Sequence, residues 1–365
     1  MVSNAFGTIF RITTWGESHG RGIGVVIDGC PAGLPLSEEE INRELERRRP
    51  GKNPYTSPRK EKDEALIYSG LFEGKTTGAP LSIIIHNHDA DPSKYEPIKH
   101  LLRPGHANFT YLSKYGTFDY RGGGRSSARE TACRVAAGAV AKKILAHSGI
   151  DLVAYVKEIG HYAITSPDPS DCVALKRQIY ESPVFCPCKE GEERIIEEVS
   201  KAKEEGDSLG GIIECVAVNL PVGLGDPVYD KLEALLAKGM MSLPATKGFE
   251  IGSGFAATKM RGSEHNDSFM STGEGRVVTR TNHAGGTLGG ISTGMPLLFR
   301  VAFKPTSSIN KTQETVDLSG EVKPFALPPG SRHDPCVTLR AAPIVEAMAA
   351  IVLVDALLMN RSCRL

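Results

Sequence analysis

Neither sign of charge is in excess: 43 basic residues meet 43 acidic ones in a chain of 365. A protein that grips nucleic acid or carries an acidic tail usually keeps a net sign, so both are excluded as the main business of this chain. Local basic clusters must then mark a specific anion. Aromatic residues are few, at 6% with a single tryptophan, and cysteines number only eight. A disulfide-stapled secreted scaffold needs many more cysteines in far fewer residues, and a chain this long buries enough surface to do without staples. Met1–Ile12 has neither a basic start nor a continuous apolar stretch, so no export signal is read there, and reduced thiols in a cytoplasmic protein are expected. No long uninterrupted apolar run occurs. The longest, Ala341–Met359, contains Pro343, Glu346 and Asp355, which suits a buried core helix better than a membrane span. Metal ligands are not gathered either: Cys186-Pro187-Cys188 and His86-Asn87-His88-Asp89 each lack the further Cys or His that would complete a set, and no metal site is expected. There is no internal repeat and no clean linker.

Glycine and proline are plentiful, 39 and 23 respectively, so much of the chain is invested in shaped loops. Between the loops, alternating or β-branched runs predict strands at Gly7–Thr14, Gly24–Asp28, Leu81–His86, Val153–Glu158, Gly211–Asn219 and Leu298–Lys304. Helices are predicted over Ser37–Arg49, Arg125–Ala146, Asp230–Met241 and about Ala342 to Leu358. Ser37 with Glu40, and Ser127 with Glu130, have capping-box spacing. Strands and helices do not alternate in a βαβ rhythm. That favours an α+β fold, antiparallel sheets packed on helices, in one domain spanning residues 1–365.

Several turns concentrate chemistry. Gly122-Gly123-Gly124-Arg125-Ser126-Ser127 sets free N–H groups, hydroxyls and a guanidinium at the expected helix start, an arrangement that accepts anions; a well-capped helix alone would not need three glycines and Arg125. Arg129 and Arg134 follow, some 140° apart on a helical wheel, so one of them is expected to face solvent. Lys304-Pro305-Thr306-Ser307-Ser308 is a second compact anion turn. His19, in Gly16–Gly20, and His106, in Arg103–His106, are each presented on a rigid turn, and imidazole suits proton transfer near neutral pH. Arg332-His333-Asp334-Pro335-Cys336 packs a cation, an imidazole and a carboxylate, with Pro335 biasing Asp334 toward extended backbone. Gly285–Gly290 lacks the frame of a dinucleotide fingerprint and reads as backbone making room for a flat ligand or another chain.

Together GESHG (Gly16–Gly20), RPGH (Arg103–His106), GGGRSSARET (Gly122–Thr131), KPTSS (Lys304–Ser308) and RHDPC (Arg332–Cys336) resemble chorismate synthase, in the family's order and across nearly the whole chain. The resemblance implies a β-α-β sandwich with a helical core between antiparallel sheets, and a homotetrameric lyase. It implies reduced FMN as cofactor and 5-enolpyruvylshikimate 3-phosphate as substrate, with phosphate lost by 1,4-elimination to give chorismate. No nucleic acid and no membrane enter. Carried over by position, His19 is the acid for the departing phosphate, His106 keeps reduced flavin correctly protonated, and Asp334 assists proton removal. Arg125, Ser126, Ser127, Pro244, Ala245, Gly289, Lys304, Pro305, Thr306, Ser307, Ser308 and Arg332 match FMN contacts. Arg48 matches a position linked to NADPH or substrate anions, with Arg129 and Arg134 as further partners for substrate charge. Two residues depart from the family pattern: Pro244 stands where many members have Asn, and Pro54 where a basic residue is frequent. Whether the protein reduces its own flavin with NADPH or draws on a separate flavin reductase is left open by the sequence. A flavin oxidoreductase consuming NADPH at each turnover and a non-catalytic nucleotide-binding module are the competing readings.

Overall fold

A computed structural model describes residues 4–59, 61–89, 91–273, 275 and 277–364. Two five-stranded antiparallel sheets enclose a pair of helices. The first sheet runs, edge to edge, Ala5–Phe6, Arg11–Gly16, Gly22–Asp28, Leu81–His86 and Ala65–Ser69. The second runs Thr246–Ile251, Leu297–Phe303, Gly211–Val218, Asp151–Ile159 and Tyr162–Ala163. Their inner faces alternate as the sequence pattern requires: Ile23, Val25 and Ile27 in one sheet, and Phe299 and Val301 in the other, are fully buried.

Helix Thr131–His147 packs on the first sheet, and helix Ala342–Asn360 packs between it and the second. The alanine-rich body of the first helix has high intrinsic propensity, yet Gly138 sits in its middle. A Cβ there would collide with the Cβ of Ala347, so the glycine is the condition for close helix contact. Buried apolar residues of both sheets and both helices form one contiguous cluster. This is the α+β sandwich expected.

The apolar run that resembled a membrane span, Ala342–Asn360, is 83% buried within the protein. Its two acids explain themselves. The Asp355 carboxylate accepts the N–H groups of Thr8, Ile9 and Phe10 at 2.8, 2.7 and 2.9 Å. Glu346 accepts the N–H of Ala154 at 3.0 Å and pairs with Lys142 and the hydroxyl of Tyr180. The Asp355 contact also explains why the strand expected over Gly7–Thr14 breaks into Ala5–Phe6 and Arg11–Gly16: Gly7 turns at positive φ, and the following amides point to the carboxylate instead of a strand.

A larger difference concerns the helix expected over Arg125–Ala146. The chain makes two 3₁₀ turns first, Gly124–Ser126 and Ala128–Glu130, and the α-helix starts at Thr131. Ser127 is extended (φ −69°, ψ 145°), which interrupts helical hydrogen bonding, and its hydroxyl caps Arg129 rather than forming a box with Glu130. Pattern reading also passed over the Ala65–Ser69 and Thr246–Ile251 strands and the helices Cys172–Glu181 and Lys189–Glu204.

Replacing Asp355 by leucine would strand three amides in the interior. Loss of about 3 kcal/mol or more is expected, read as a lowered urea midpoint; a midpoint within error of the parent would remove Asp355 from the account of how the N-terminal strands are held.

Candidate active site

The floor of the site is an ion cluster. Asp63, fully buried and held at positive φ, lies between Arg48 and Arg129, each only 3% exposed. Arg48 bonds Asp63 at 2.9 Å, the Thr131 hydroxyl at 3.2 Å and the Ala128 carbonyl at 2.8 Å. Arg129 pairs with the other Asp63 oxygen and reaches Asn87 Oδ1 at 2.8 Å and the His86 carbonyl at 3.3 Å. Burial by itself would raise Asp63; the two guanidiniums outweigh it and hold the carboxyl below its usual range. Burial, with Arg340 and Arg129 adding to it, pushes Arg48 down to about 10 against the pull of Asp63. Helical spacing put Arg129 or Arg134 in solvent, but Arg129 lies in a 3₁₀ turn where that wheel does not apply, and it is buried. Arg134 pairs with Glu130 at 2.9 Å and with Ser242.

From this floor Asn87 reaches over to the first catalytic candidate. Its amide donates to the carbonyls of Glu17 and Gly20 at 3.0 and 2.9 Å, pinning the turn that carries His19. The His19 ring sits edge-on to Tyr95 (centroids 5.2 Å apart), and Ser18 Oγ is 3.0 Å from its Nδ1. Gly122, at φ +65°, is required here, because any Cβ would overlap the imidazole. Burial, then Arg59, holds His19 below its ordinary value; Arg121 adds to this, while Asp119 and Asp91 oppose.

His106 is tied more tightly. Its Nδ1–H donates to the Pro104 carbonyl at 2.9 Å, while Nε2 accepts from Arg103 at 2.8 Å and from the Ser308 hydroxyl at 3.1 Å. Burial, reinforced by Arg103 and Lys304, pushes the ring down to about 4, so it is neutral at pH 7. Asp334 is buried, with one oxygen taking the Ser57 N–H at 2.8 Å and the other the Arg340 guanidinium at 2.6 Å.

These three residues line a single cavity of about 880 Å³, together with Arg48, Arg125, Ser126, Ser127, Arg129, Ser308 and Arg332. Eight arginines and four carboxylates line it, a surplus of four positive charges in a chain whose total is zero. Buried donors on Arg59, Arg103 and Arg340 (each Nε) have no partner among the described residues, nor does His333 Nδ1. Such a wall suits a polyanion.

Other residues singled out in the sequence lie beside this cavity. Arg134 and Pro244 line a neighbouring cavity of about 570 Å³ that shares Arg125 and Ser126 with the main one. Lys304 and Ser307 both bond the Gly105 carbonyl, at 2.9 and 3.0 Å, supporting the His106 turn from behind. Ala245, at positive φ, accepts the Lys304 N–H at 2.9 Å. Pro305 packs near Gly210, and the Thr306 carbonyl accepts Ser208 Oγ at 2.7 Å. Gly289 turns a small hairpin, Thr287–Leu288 with Ile291–Ser292, away from the main cavity. Its neighbours Gly285, Gly286 and Gly290 press against this chain's own backbone and side chains, whereas a Cβ at Gly289 would meet no atom within 4 Å. Asp63, Asn87, Tyr95 and Arg340 escaped the sequence reading. Asp63 sits in the charged run Arg59–Glu64, which reads as a solvated loop, and nothing marks Arg340 until Asp334 is seen beside it.

The family model described as chorismate synthase matches residues 10–358. The chain belongs to the chorismate synthase family. It is 58% identical to the chorismate synthase of Protochlamydia amoebophila, covering all of both chains. Identity to that of Opitutus terrae is 53%, over 97% of this chain and 96% of the other. A crystal structure of chorismate synthase superposes with a TM-score of 0.78 at 35% identity, over 98% of this chain and 94% of that one. The activity is the carbon–oxygen lyase reaction that closes the shikimate pathway, and its substrate is 5-enolpyruvylshikimate 3-phosphate.

The neutral histidines give a sign to the pH dependence of stability. His106 binds a proton near pH 6.5 when unfolded but only near 4 when folded, so its contribution is complete above 6.5 and is lost as pH falls toward 4. The ceiling is about 3 kcal/mol, and His19 and His333, both lowered chiefly by burial, act in the same direction. The urea midpoint should therefore fall from pH 7 to pH 5, and His106→Gln should flatten that slope. Parallel slopes for parent and variant would show that the folded imidazole titrates normally.

Proposed function

We propose that the main cavity takes reduced FMN and the enolpyruvyl phosphate substrate together, within one domain spanning residues 1–365. The observation that carries this reading is the convergence of His19, His106 and Asp334, from turns far apart in sequence, on one arginine-rich hollow. Its volume of about 880 Å³ lies at the upper end of ligand cavities, which span about 300–1,000 Å³. Arg125, Ser126, Ser127, Ser308 and Arg332 hold the cofactor, with Lys304 and Ser307 bracing the turn beneath. Reduced flavin, when bound, supplies an electron that weakens the C–O bond to phosphate and is recovered as the substrate loses hydrogen. The rest falls to the protein.

His19 carries the proton for the departing phosphate. It is neutral in the ligand-free, cation-rich cavity, and the arriving phosphate dianion offsets Arg59 and Arg121 so that the ring takes up a proton where it is needed. His106, with Nδ1–H fixed on Pro104, presents only Nε2; an anionic ligand drawing Arg103 away frees that nitrogen to hold the flavin-side proton. Asp334, fixed at both oxygens, assists removal of the substrate's C–H proton. Each guanidinium nitrogen of Arg48 and Arg129 already donates one hydrogen bond to the protein, so both side chains are fixed in place and act on ligands chiefly through their field. The active species is a homotetramer, and its flavin is reduced either by NADPH at this protein or by a separate reductase.

An anaerobic mixture of protein, dithionite-reduced FMN and substrate should yield many chorismates per flavin. One product per NADPH, or binding without turnover, would replace the lyase reading by one of its rivals. His106→Ala should lower turnover by about 10²–10⁴-fold with both ligands still bound, and near-normal turnover would take His106 out of the mechanism. Because the ligand raises His19 from its depressed value, the fall of kcat with rising pH should be centred at higher pH than the fall of kcat/KM, and His19→Asn should abolish both. Coincident limbs in the parent enzyme would rule out His19 as the proton carrier.

A further inference from the structure

We propose that Arg340 is the positioning residue for Asp334 in proton removal, an inference that rests on the reading of Asp334 given above. Four observations converge on it. The Arg340 guanidinium meets Asp334 Oδ2 at 2.6 Å, and both side chains are nearly buried, at 12% and 10% exposed. The second carboxylate oxygen is taken by the Ser57 amide at 2.8 Å, so the carboxylate cannot swing. Arg340 is presented by the short 3₁₀ turn Val337–Arg340, which runs directly into the largely buried C-terminal helix and gives it a rigid base. Its Nε–H is buried without a partner while the residue lines the reaction cavity.

The last point separates Arg340 from the other buried guanidiniums near the floor. Arg48 and Arg129 share Asp63, and their Nε–H groups are taken by the Thr131 hydroxyl and the Asn87 amide oxygen. Among the described residues Arg340 pairs with Asp334 alone, and its Nε–H has no partner. In the elimination, the C–O bond to phosphate and a C–H bond both break, a new C=C bond forms, and phosphate and a proton leave without net oxidation. A carboxylate that helps the proton away must point at that hydrogen throughout. A planar guanidinium on one oxygen and a backbone amide on the other fix both its direction and its charge balance.

The test uses the full-length protein with reduced FMN under anaerobic conditions. Arg340→Gln should lower kcat by about 10- to 100-fold while KM for the substrate moves little. Substrate deuterated at the departing C–H should show a larger isotope effect in this variant than in the parent, because the proton-removal step is the one slowed. Arg340→Lys, which keeps the charge, should recover part of the rate, and Arg340→Gln added to Asp334→Asn should cost little more than Asp334→Asn alone. An unchanged isotope effect in Arg340→Gln, or a fully additive double variant, with Asp334→Asn itself impaired, overturns the role of Arg340 alone. Normal turnover of Asp334→Asn overturns the reading of Asp334 and this inference with it. A structural role for Arg340 would lower the thermal midpoint and the amount of active enzyme without moving the isotope effect.

Discussion

The buried Asp63 between Arg48 and Arg129 is the contact on which the site depends. Removing one partner of a buried pair leaves an uncompensated charge in the interior, which typically costs about 3–5 kcal/mol. Here the cluster also ties several elements to one another. Arg48 ends one helix and caps the start of another through Ala128 and Thr131. Arg129 ties the same turn to the end of the strand Leu81–His86 and, through Asn87, to the turn carrying His19. Distances at the reacting groups are thus referred to one fixed point inside the protein. The sandwich supplies stiffness, and the ion cluster supplies registration.

Around this point the chain concentrates positive charge that its total composition conceals. A surplus of four over the cavity wall, in a protein with no net charge, raises the cost of a protonated imidazole there and lowers it again when a polyanion enters. His19 and His106 are held below their ordinary values first by burial and then by the neighbouring cations, and on the proposed reading an incoming polyanion offsets the second cause. The same wall explains why burying so many guanidiniums is tolerable: some are paired internally, and the donors left over on Arg59, Arg103 and Arg340 suit phosphate and carboxylate oxygens.

Much of this was legible in the chain itself. Strands such as Leu81–His86 and the C-terminal helix follow from periodicity, because one face of each is buried in a continuous core. His19, His106 and Asp334 were visible because each stands on a turn built from glycine or proline. What stayed hidden depends on partners distant in sequence. Asp63 and Arg340 look like ordinary surface charge until Arg129 and Asp334 are folded against them. The start of the Thr131–His147 helix was misjudged because Ser127 and Glu130 fit a capping box by spacing, whereas Glu130 is claimed by Thr14 at 2.7 Å and by Arg134. Gly285–Gly290 combines two uses of glycine that a sequence does not separate: Gly285, Gly286 and Gly290 permit close packing within the chain, while Gly289 faces open space.

The two departures from the family pattern can now be weighed by where they lie. Pro244 lines the neighbouring cavity that shares Arg125 and Ser126 with the main one, so this departure lies off the wall that carries His19, His106 and Asp334. It precedes Ala245, whose positive φ is held by the Lys304 N–H bonding its carbonyl, so the proline stiffens a strained turn that backs the His106 support. Pro54 lines a third cavity of about 450 Å³, where its carbonyl accepts Lys203 Nζ at 2.9 Å. A cation is therefore still present at that spot, though supplied by a helix far along the chain rather than by residue 54. His333 lines both this third cavity and the main one. Neither proline touches His19, His106 or Asp334, and each change falls on a wall where the fold has a second means of holding charge or shape.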